Sequence, residues 1–514
     1  MVAAGGALLE DTPPPERSML ARVRSATLLG IESIPLFVEC DINRGLPGIH
    51  TVGLPDAAVR ESADRVRAAI RNAGFTVPPS RITISLAPAD LRKQGSALDL
   101  PIALGILAAN GDLPAQRLAD ILVLGELALD GSVRRVPGCL PATLLARSSG
   151  IDEVIVPLPN REEALSVPGP GVHGVERLLD AAAVLRGERR AERSEAATYQ
   201  PDSSRFGLDL SEVKGQAHAK RALEVAAAGG HHVLMIGPPG CGKTMLARRL
   251  PGILPPLALD ESIEVTCVYS AAGLLREPGL VRARPFRSPH HTISGVGLVG
   301  GGRLPRPGEV TLAHHGVLFL DEMAEFGRTT LDVLRQPLED GAIVINRIGY
   351  AARMPCRFTL VGAMNPCVCG QLGRSDRACA CTPAQVAQYR SRVSGPLLDR
   401  FEMHLEVPPV SLGDLARAAP GEPSAVVAAR VAAARRRREQ GIETAPLASA
   451  QQMLRQAIRR LGLSARAHDA IVRVARTVAH LEGATSVEPR HVAEAVQYRC
   501  LDRPVFRPYE AGSE

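Results

Sequence analysis

Gly237-Pro238-Pro239-Gly240-Cys241-Gly242-Lys243-Thr244 is the stretch from which the rest of this chain is read. Its glycines let successive backbone N–H groups turn toward phosphate oxygens, Lys243 reaches the β and γ oxygens, and the Thr244 hydroxyl offers one ligand to Mg²⁺. A helix starting at this point aims its positive end at the same anion. Further along, the apolar run Gly316-Val-Leu-Phe-Leu320 reads as a buried strand that stops at Asp321-Glu322. Asp321 is placed to hold the magnesium shell, and Glu322 to orient and deprotonate an attacking water. The two stretches together predict hydrolysis of ATP, with ATP and Mg²⁺ as the bound species.

The remainder of the 514 residues is too long for one hydrophobic core, so two or three domains are expected. Lys plus Arg is 60 against 54 Asp plus Glu, a net charge of +6, which permits a nucleic-acid partner without arguing for one. No run reaches the roughly 18 to 20 apolar residues of a membrane helix, and Met1 to Pro15 lacks the basic and long apolar regions of a signal peptide. A cytoplasmic protein with no membrane partner is expected, whose ten cysteines are reduced thiols or metal ligands.

Changes of texture divide the chain into an α/β multidomain protein. Residues 1–18 are Ala/Gly/Pro-rich and read as a disordered extension. From 19 to 190 strand-like and helical runs alternate. Arg81-Ile-Thr-Ile-Ser-Leu86 puts Ile82, Ile84 and Leu86 on one face; Pro55 to Asn72 carries Val59, Ala63, Val66 and Ile70 at helical spacing, with Gly74 past the end. Residues 191–206 are charged and then Ser-rich, a linker. A nucleotide-binding α/β core is expected over 207–405 and a helical region over 406–514, where Ser464 to Leu481 buries Ile471, Val474, Ala475 and Val478 before Gly483.

Three polar landmarks follow the phosphate loop in order. The strand Arg357 to Asn365 ends in an amide that can bond the γ-phosphate or the attacking water. Ser394-Gly-Pro-Leu-Leu-Asp-Arg400 presents a guanidinium on a short element, and Arg466 opens a helix of the C-terminal region. An arginine supplied across a subunit boundary stabilises the charge of a transferring phosphoryl group. A lone arginine would be a surface ion pair; the order behind a phosphate loop favours the functional reading.

These residues, with Gly53-Leu-Pro-Asp-Ala, Leu86-Ala-Pro-Ala-Asp-Leu-Arg-Lys, Gly125-Glu-Leu-Ala-Leu-Asp-Gly, Arg284-Pro-Phe-Arg-Ser-Pro-His-His and Asn365-Pro-Cys, resemble the YifB/ComM family of magnesium-chelatase-like AAA+ ATPases from Met19 onward. The resemblance implies Asn365 as the sensor-1 residue, Arg400 as the arginine finger, Arg466 as the sensor-2 arginine, and Val213, Gly215 and Gln216 along the adenine pocket. It also implies a Lon-protease-like N-terminal domain, an AAA+ P-loop core, a C-terminal helical lid and a homo-hexameric ring. Members are implicated in DNA branch migration and unwinding during recombination and natural transformation.

The Lon-type fold would use a Ser nucleophile activated by a Lys. Aligning on Gly95 puts Ala97 at the nucleophile position, and Pro137-Gly138 leads to Leu140 at the lysine position, so a non-proteolytic domain is expected despite Ser96 and Lys93 nearby.

Gly341 to Arg353 alternates about an Asn346-Arg347-Ile348-Gly349 tip and reads as a β-hairpin. Arg347 and Arg353 on it are either ordinary exposed arginines or contacts to DNA phosphates in a ring pore. Phe286 to Gly302 is too Gly-rich for a rigid element and reads as a mobile loop, with His290 and His291 as hydrogen-bonded loop residues rather than metal ligands. Cys367, Cys369, Cys379 and Cys381 form two C-x-C pairs, open to a structural Zn²⁺ or to four reduced thiols. Cys241, beside a positive helix end, is expected to have a lowered pKa. The run Arg435 to Arg438 reads as a solvated helix face.

The expected function is a motor coupling ATP hydrolysis to movement on single-stranded or branched DNA. A protein remodeller, or the motor subunit of a magnesium chelatase, is the alternative.

Overall fold

The computed structural model describes residues 20–89, 93, 95–194, 199–200, 202, 207–302, 305–347, 350–374, 377–410, 421–441 and 444–502. The extension 1–18, part of the 191–206 linker and the hairpin tip at 348–349 lie outside them, and only the backbone of Arg347 is described. The chain divides into two compact units. One comprises 1–197 with Ser270–Leu280, the other 198–269 with 281–514.

The first unit is built on a seven-stranded mixed sheet. Its strands lie in the order Gly48–Val52, Arg81–Ala87, Glu32–Asn43, Leu20–Leu29, Ile121–Val123, Glu153–Pro157, Gly171–Val175. Alternation sets the faces: Ile82, Ile84 and Leu86 are each 1% exposed. The helix Ala57–Asn72 is capped by Asp56, whose carboxylate accepts the Val59 N–H, and it buries Val59, Val66 and Ile70 as its spacing predicts. The helix Asp99–Ala109 is buried along its whole length, which its continuous apolar sequence allows. Its one charge, Asp99, is held by Ser62 and by Arg65 Nε at 2.9 Å.

The residues expected to replace a proteolytic dyad are Ala97, packed against the core, and Leu140, fully buried. Ser96 donates to Glu126, and the Lys93 ammonium donates to the Pro88 carbonyl.

The second unit carries a five-stranded parallel sheet in the order Phe286–Arg287, Val317–Leu320, Thr359–Met364, Val233–Ile236, Met403–Glu406. The three inner strands are buried at every position, as a parallel sheet covered on both faces requires. The helices Ser424–Glu439, Ala448–Leu461, Ala465–Glu482 and Pro489–Gln497 complete the unit. Ser464 caps the third of these and Gly483, at φ +71°, ends it. Val427, Val431, Leu454, Ile471 and Val474 join Val233, Phe319 and Val361 in one buried cluster, so the C-terminal helices share the core of the sheet.

The sequence expectation that 286–302 is too Gly-rich for a rigid element is corrected. Ser294 accepts the Gly297 N–H and caps a short helix, Gly295–Val299, and Gly300–Gly301 pairs with Arg306–Pro307. A side-chain cap and a two-residue ladder supply the order that composition alone did not predict.

Candidate active site

Three neighbouring strands of the parallel sheet deliver the site at their C-terminal ends, where open α/β sheets bind ligands. Val233–Ile236 runs into the phosphate loop, whose Gly240 (φ +79°) and Gly242 (φ +96°) adopt the left-handed conformation that side chains resist. The helix Lys243–Ile253 starts directly after it. Thr359–Met364 delivers Asn365, and Val317–Leu320 delivers Asp321 and Glu322.

The side chains converge. Lys243 Nζ donates to Asn365 Oδ1 at 3.3 Å, to the Gly237 carbonyl at 2.6 Å and to the Pro238 carbonyl at 3.0 Å. Burial lowers the pKa of this ammonium. Thr244 Oγ1 donates to Asp321 Oδ2 at 2.7 Å. Two hard oxygens at that separation fit adjacent corners of an octahedral magnesium shell, whose edge is about 2.9 Å for metal–oxygen bonds of about 2.05 Å. Glu322 sits at φ +50°, a strained setting for a side-chain-bearing residue, with its carboxylate in the open and 3.8 Å from His291 Nδ1.

Gln216 (φ +52°) precedes the helix Ala217–Gly229 and donates to the carbonyls of Cys241 at 3.3 Å and Pro408 at 2.7 Å. With buried Val213 and left-handed Gly215, it borders the phosphate loop on the side of the strand Met403–Glu406.

The family described as magnesium chelatase, subunit ChlI, matches residues 209–415; its C-terminal family matches 421–499, and the family described as subunit ChlI of Mg-chelatase matches 38–160. YifB of Escherichia coli K12 is 43% identical over 500 residues, covering 94% of this chain and 98% of its own. The competence protein ComM of Haemophilus influenzae is 42% identical over 503 residues, covering 94% and 98%. The 38 kDa magnesium-chelatase subunit of Rhodobacter capsulatus is 28% identical over 191 residues, 33% of this chain and 55% of that one. The chain belongs to the YifB/ComM family of magnesium-chelatase-like proteins.

In this YifB/ComM member the two landmark arginines lie near one another, and each is paired with a carboxylate outside the Lys243 cluster. Arg400 is ion-paired with Glu339, and Arg466 Nη1 donates to Asp399 Oδ2 at 2.7 Å. Partial burial and the positive charges of Arg466 and Arg335 lower the Arg400 pKa. Glu339, which no sequence signal singled out, lies in the last turn of the short helix Arg335–Asp340 before the hairpin.

The Cys241 expectation is overturned. The thiol is buried, and desolvation raises its pKa against the opposing pull of Lys243. The four loop cysteines do meet: Cys367 Sγ lies 3.4 Å from Cys369 Sγ and 3.6 Å from Cys379 Sγ, and all four sulfurs fall within 4.8 Å of one another. A zinc tetrahedron with bonds of about 2.3 Å has edges of about 3.8 Å, so the donor set fits that ion.

The hairpin forms from Ala342–Arg347 and Tyr350–Pro355, with Arg353 opposite Val344 on the exposed face while Ala352 and Met354 are buried. His290 Nδ1 contacts Thr292 Oγ1 at 3.0 Å, a loop hydrogen bond as read. The solvated-face reading of Arg435–Arg438 is corrected. Arg435 donates to the Ala227 carbonyl, Arg438 to Gly229 and Arg437 to His480, so three of the four cover carbonyls at helix C-termini.

A second cluster escaped the sequence reading because its partners are far apart in the chain. His314 and His315, just before the Asp321 strand, both contact Glu264 Oε2, at 2.9 and 2.8 Å. His314 Nδ1 accepts the Arg357 N–H, so its proton sits on Nε2 and is donated to Glu264; His315 also reaches Glu261 at 3.3 Å. Hydrogen bonds account for this cluster without a metal.

No helix among the described residues is long and apolar enough to cross a membrane.

Proposed function

We propose that this chain is an ATP-hydrolysing AAA+ motor that assembles as a homo-hexameric ring and acts on DNA, with helicase or branch-migration activity in recombination or natural transformation. The observation that carries the ATPase reading is the hydrogen-bonded set Lys243–Asn365 and Thr244–Asp321 at the ends of adjacent parallel strands.

In this reading Lys243 exchanges the carbonyls of its own loop for phosphate oxygens, and Thr244 and Asp321 hold Mg²⁺. Bound there, the ion would supply charge neutralisation for the phosphate oxygens. Glu322 takes the proton of the attacking water, Asn365 orients the γ end, and Arg466 completes the site. Arg400 acts on the nucleotide of a neighbouring subunit, so the ring is the active form. Val213, Gly215 and Gln216 face the adenine. Cys367, Cys369, Cys379 and Cys381 hold a structural Zn²⁺. The N-terminal unit, Lon-like and non-proteolytic, serves assembly or substrate engagement.

The DNA reading draws on the exposed Arg353 of the hairpin, on Arg347 beside its tip, and on the competence role named for the Haemophilus influenzae relative. Grip of this kind is electrostatic and independent of base sequence.

The test is the ATPase rate with and without single-stranded, duplex and forked DNA at low and moderate salt, beside Lys243→Ala. A several-fold, salt-sensitive stimulation supports the motor. An assembled ring that hydrolyses ATP and ignores every DNA turns the assignment to a protein remodeller or a chelatase motor.

A further inference from the structure

The four-cysteine loop leaves the site at its most sensitive point. Cys367 follows Asn365 by two residues and is fully buried. The turn it begins closes with the Gly370 N–H on the Cys367 carbonyl at 3.0 Å. Gly370 adopts φ +73°, and a Cβ built there would lie 2.8 Å from Pro239 Cδ, 3.0 Å from Pro239 Cγ and 4.0 Å from Asn365 Cγ. The backbone of the cysteine turn therefore rests directly against the phosphate loop and beside the residue that bonds Lys243.

The second pair closes the loop. The Cys381 N–H meets Cys379 Sγ at 3.4 Å, and Thr382 then caps the helix Pro383–Arg390. From that helix Arg390 Nε donates back to the Pro366 carbonyl at 3.4 Å. Among the described residues between the two pairs there is no helix or strand, so backbone hydrogen bonding of regular structure does not fix the loop's shape. Four sulfurs converge there instead.

We infer that the Cys367, Cys369, Cys379 and Cys381 site holds a zinc ion that braces the phosphate loop through Gly370 and Pro239, so that metal occupancy and ATP affinity are linked. This rests on the nucleotide reading of Lys243 and Asn365. The physical cause is local. A metal tie at both ends of a loop without secondary structure orders it on binding. The ordered turn limits where Pro239 and Asn365 sit. Without the tie, ATP binding must order the turn as well, and affinity falls. Linkage is reciprocal: if zinc favours ATP by some factor, ATP tightens zinc binding by the same factor.

Three measurements test this on the full chain. Elemental analysis of the purified protein gives about one zinc per chain. At equilibrium with a competing chromogenic chelator, the wild type keeps more of its zinc with ATP and Mg²⁺ present than without, which needs no variant. The ATP Kd, read by calorimetry, rises about fivefold or more in Cys379→Ser/Cys381→Ser, the lower end of ordinary site-to-site coupling. Gly370→Ala raises the Kd while keeping its zinc, because it pushes on Pro239 and leaves the sulfurs in place. Metal-free protein with normal ATP affinity, or stoichiometric zinc whose affinity ignores nucleotide, overturns the inference. Failure of the wild type to bind ATP at all would instead overturn the nucleotide reading.

Discussion

Arg400 is ion-paired to Glu339 of its own chain, on the short helix that leads into the arginine-bearing hairpin. The guanidinium proposed to serve a neighbour's nucleotide is therefore engaged at home within one subunit. Reaching a second subunit's phosphate requires exchanging a carboxylate partner for a phosphate one, which a planar guanidinium does with the same geometry.

Arg400→Ala is expected to keep ATP binding and to lose hydrolysis by on the order of 10³-fold. Mixing it with Lys243→Ala subunits should restore part of the activity, because each mutant supplies what the other lacks across a boundary. Mixtures no more active than either variant alone would show that Arg400 works within its own subunit.

Glu322→Gln removes the proton acceptor and leaves Thr244, Asp321 and Lys243 untouched. Hydrolysis should fall by roughly 10² to 10⁴, the usual range for a general base, with ATP affinity near that of the wild type. A variant that retains most of its rate would move the base elsewhere.

Acid should loosen the second unit in a defined window. Burial lowers the pKa of His231 and His314 to about 4 and of His404 to about 3, and histidine and arginine partners lower Glu261 to about 2 despite its burial. All four folded pKa values lie below their unfolded values of about 6.5 for His and 4.3 for Glu. The unfolded chain then binds more protons, so stability is complete above about pH 6.5, falls as the histidines charge toward pH 4, and falls again as Glu261 protonates. Thermal melts from pH 7.5 to 4 should show Tm dropping through that range. A flat Tm between pH 6.5 and 4.5 would contradict it.

Arg353→Ala should weaken binding to every DNA sequence alike and reduce the slope of log K against log salt by about 1, the signature of one lost phosphate contact. Fluorescence anisotropy at several salt concentrations reads both quantities. An unchanged slope would return Arg353 to an ordinary surface role. Arg435→Ala makes the contrasting case: it should leave DNA affinity alone and destabilise the fold by about 1.5 to 3 kcal/mol, since a half-buried charged donor to the Ala227 carbonyl is lost.

What could be read from the sequence was local. The phosphate loop, Asp321 and Asn365 announce themselves because each lies at the end of its own apolar run, and period-2 and period-3.6 spacing placed Ile82, Ile84 and Leu86 and the helix from Ser464 correctly. What stayed hidden depends on partners distant in the chain. Glu264 meets His314 fifty positions further along the chain, and Arg435 finds Ala227 two hundred and eight positions back. Cys241 failed for another reason: a helix end favours the thiolate, but burial of the sulfur outweighs it, and a sequence does not display burial at a loop.

The shared core of the second unit carries a lesson for inheritance. Because Val427, Val431, Leu454 and Ile471 lie in one apolar cluster with the sheet residues Val233 and Val361, the nucleotide-binding sheet is not a portable cassette. A gene break near residue 406 would strip its apolar cover and yield two sticky fragments, so recombination between lineages can pass this region on only whole.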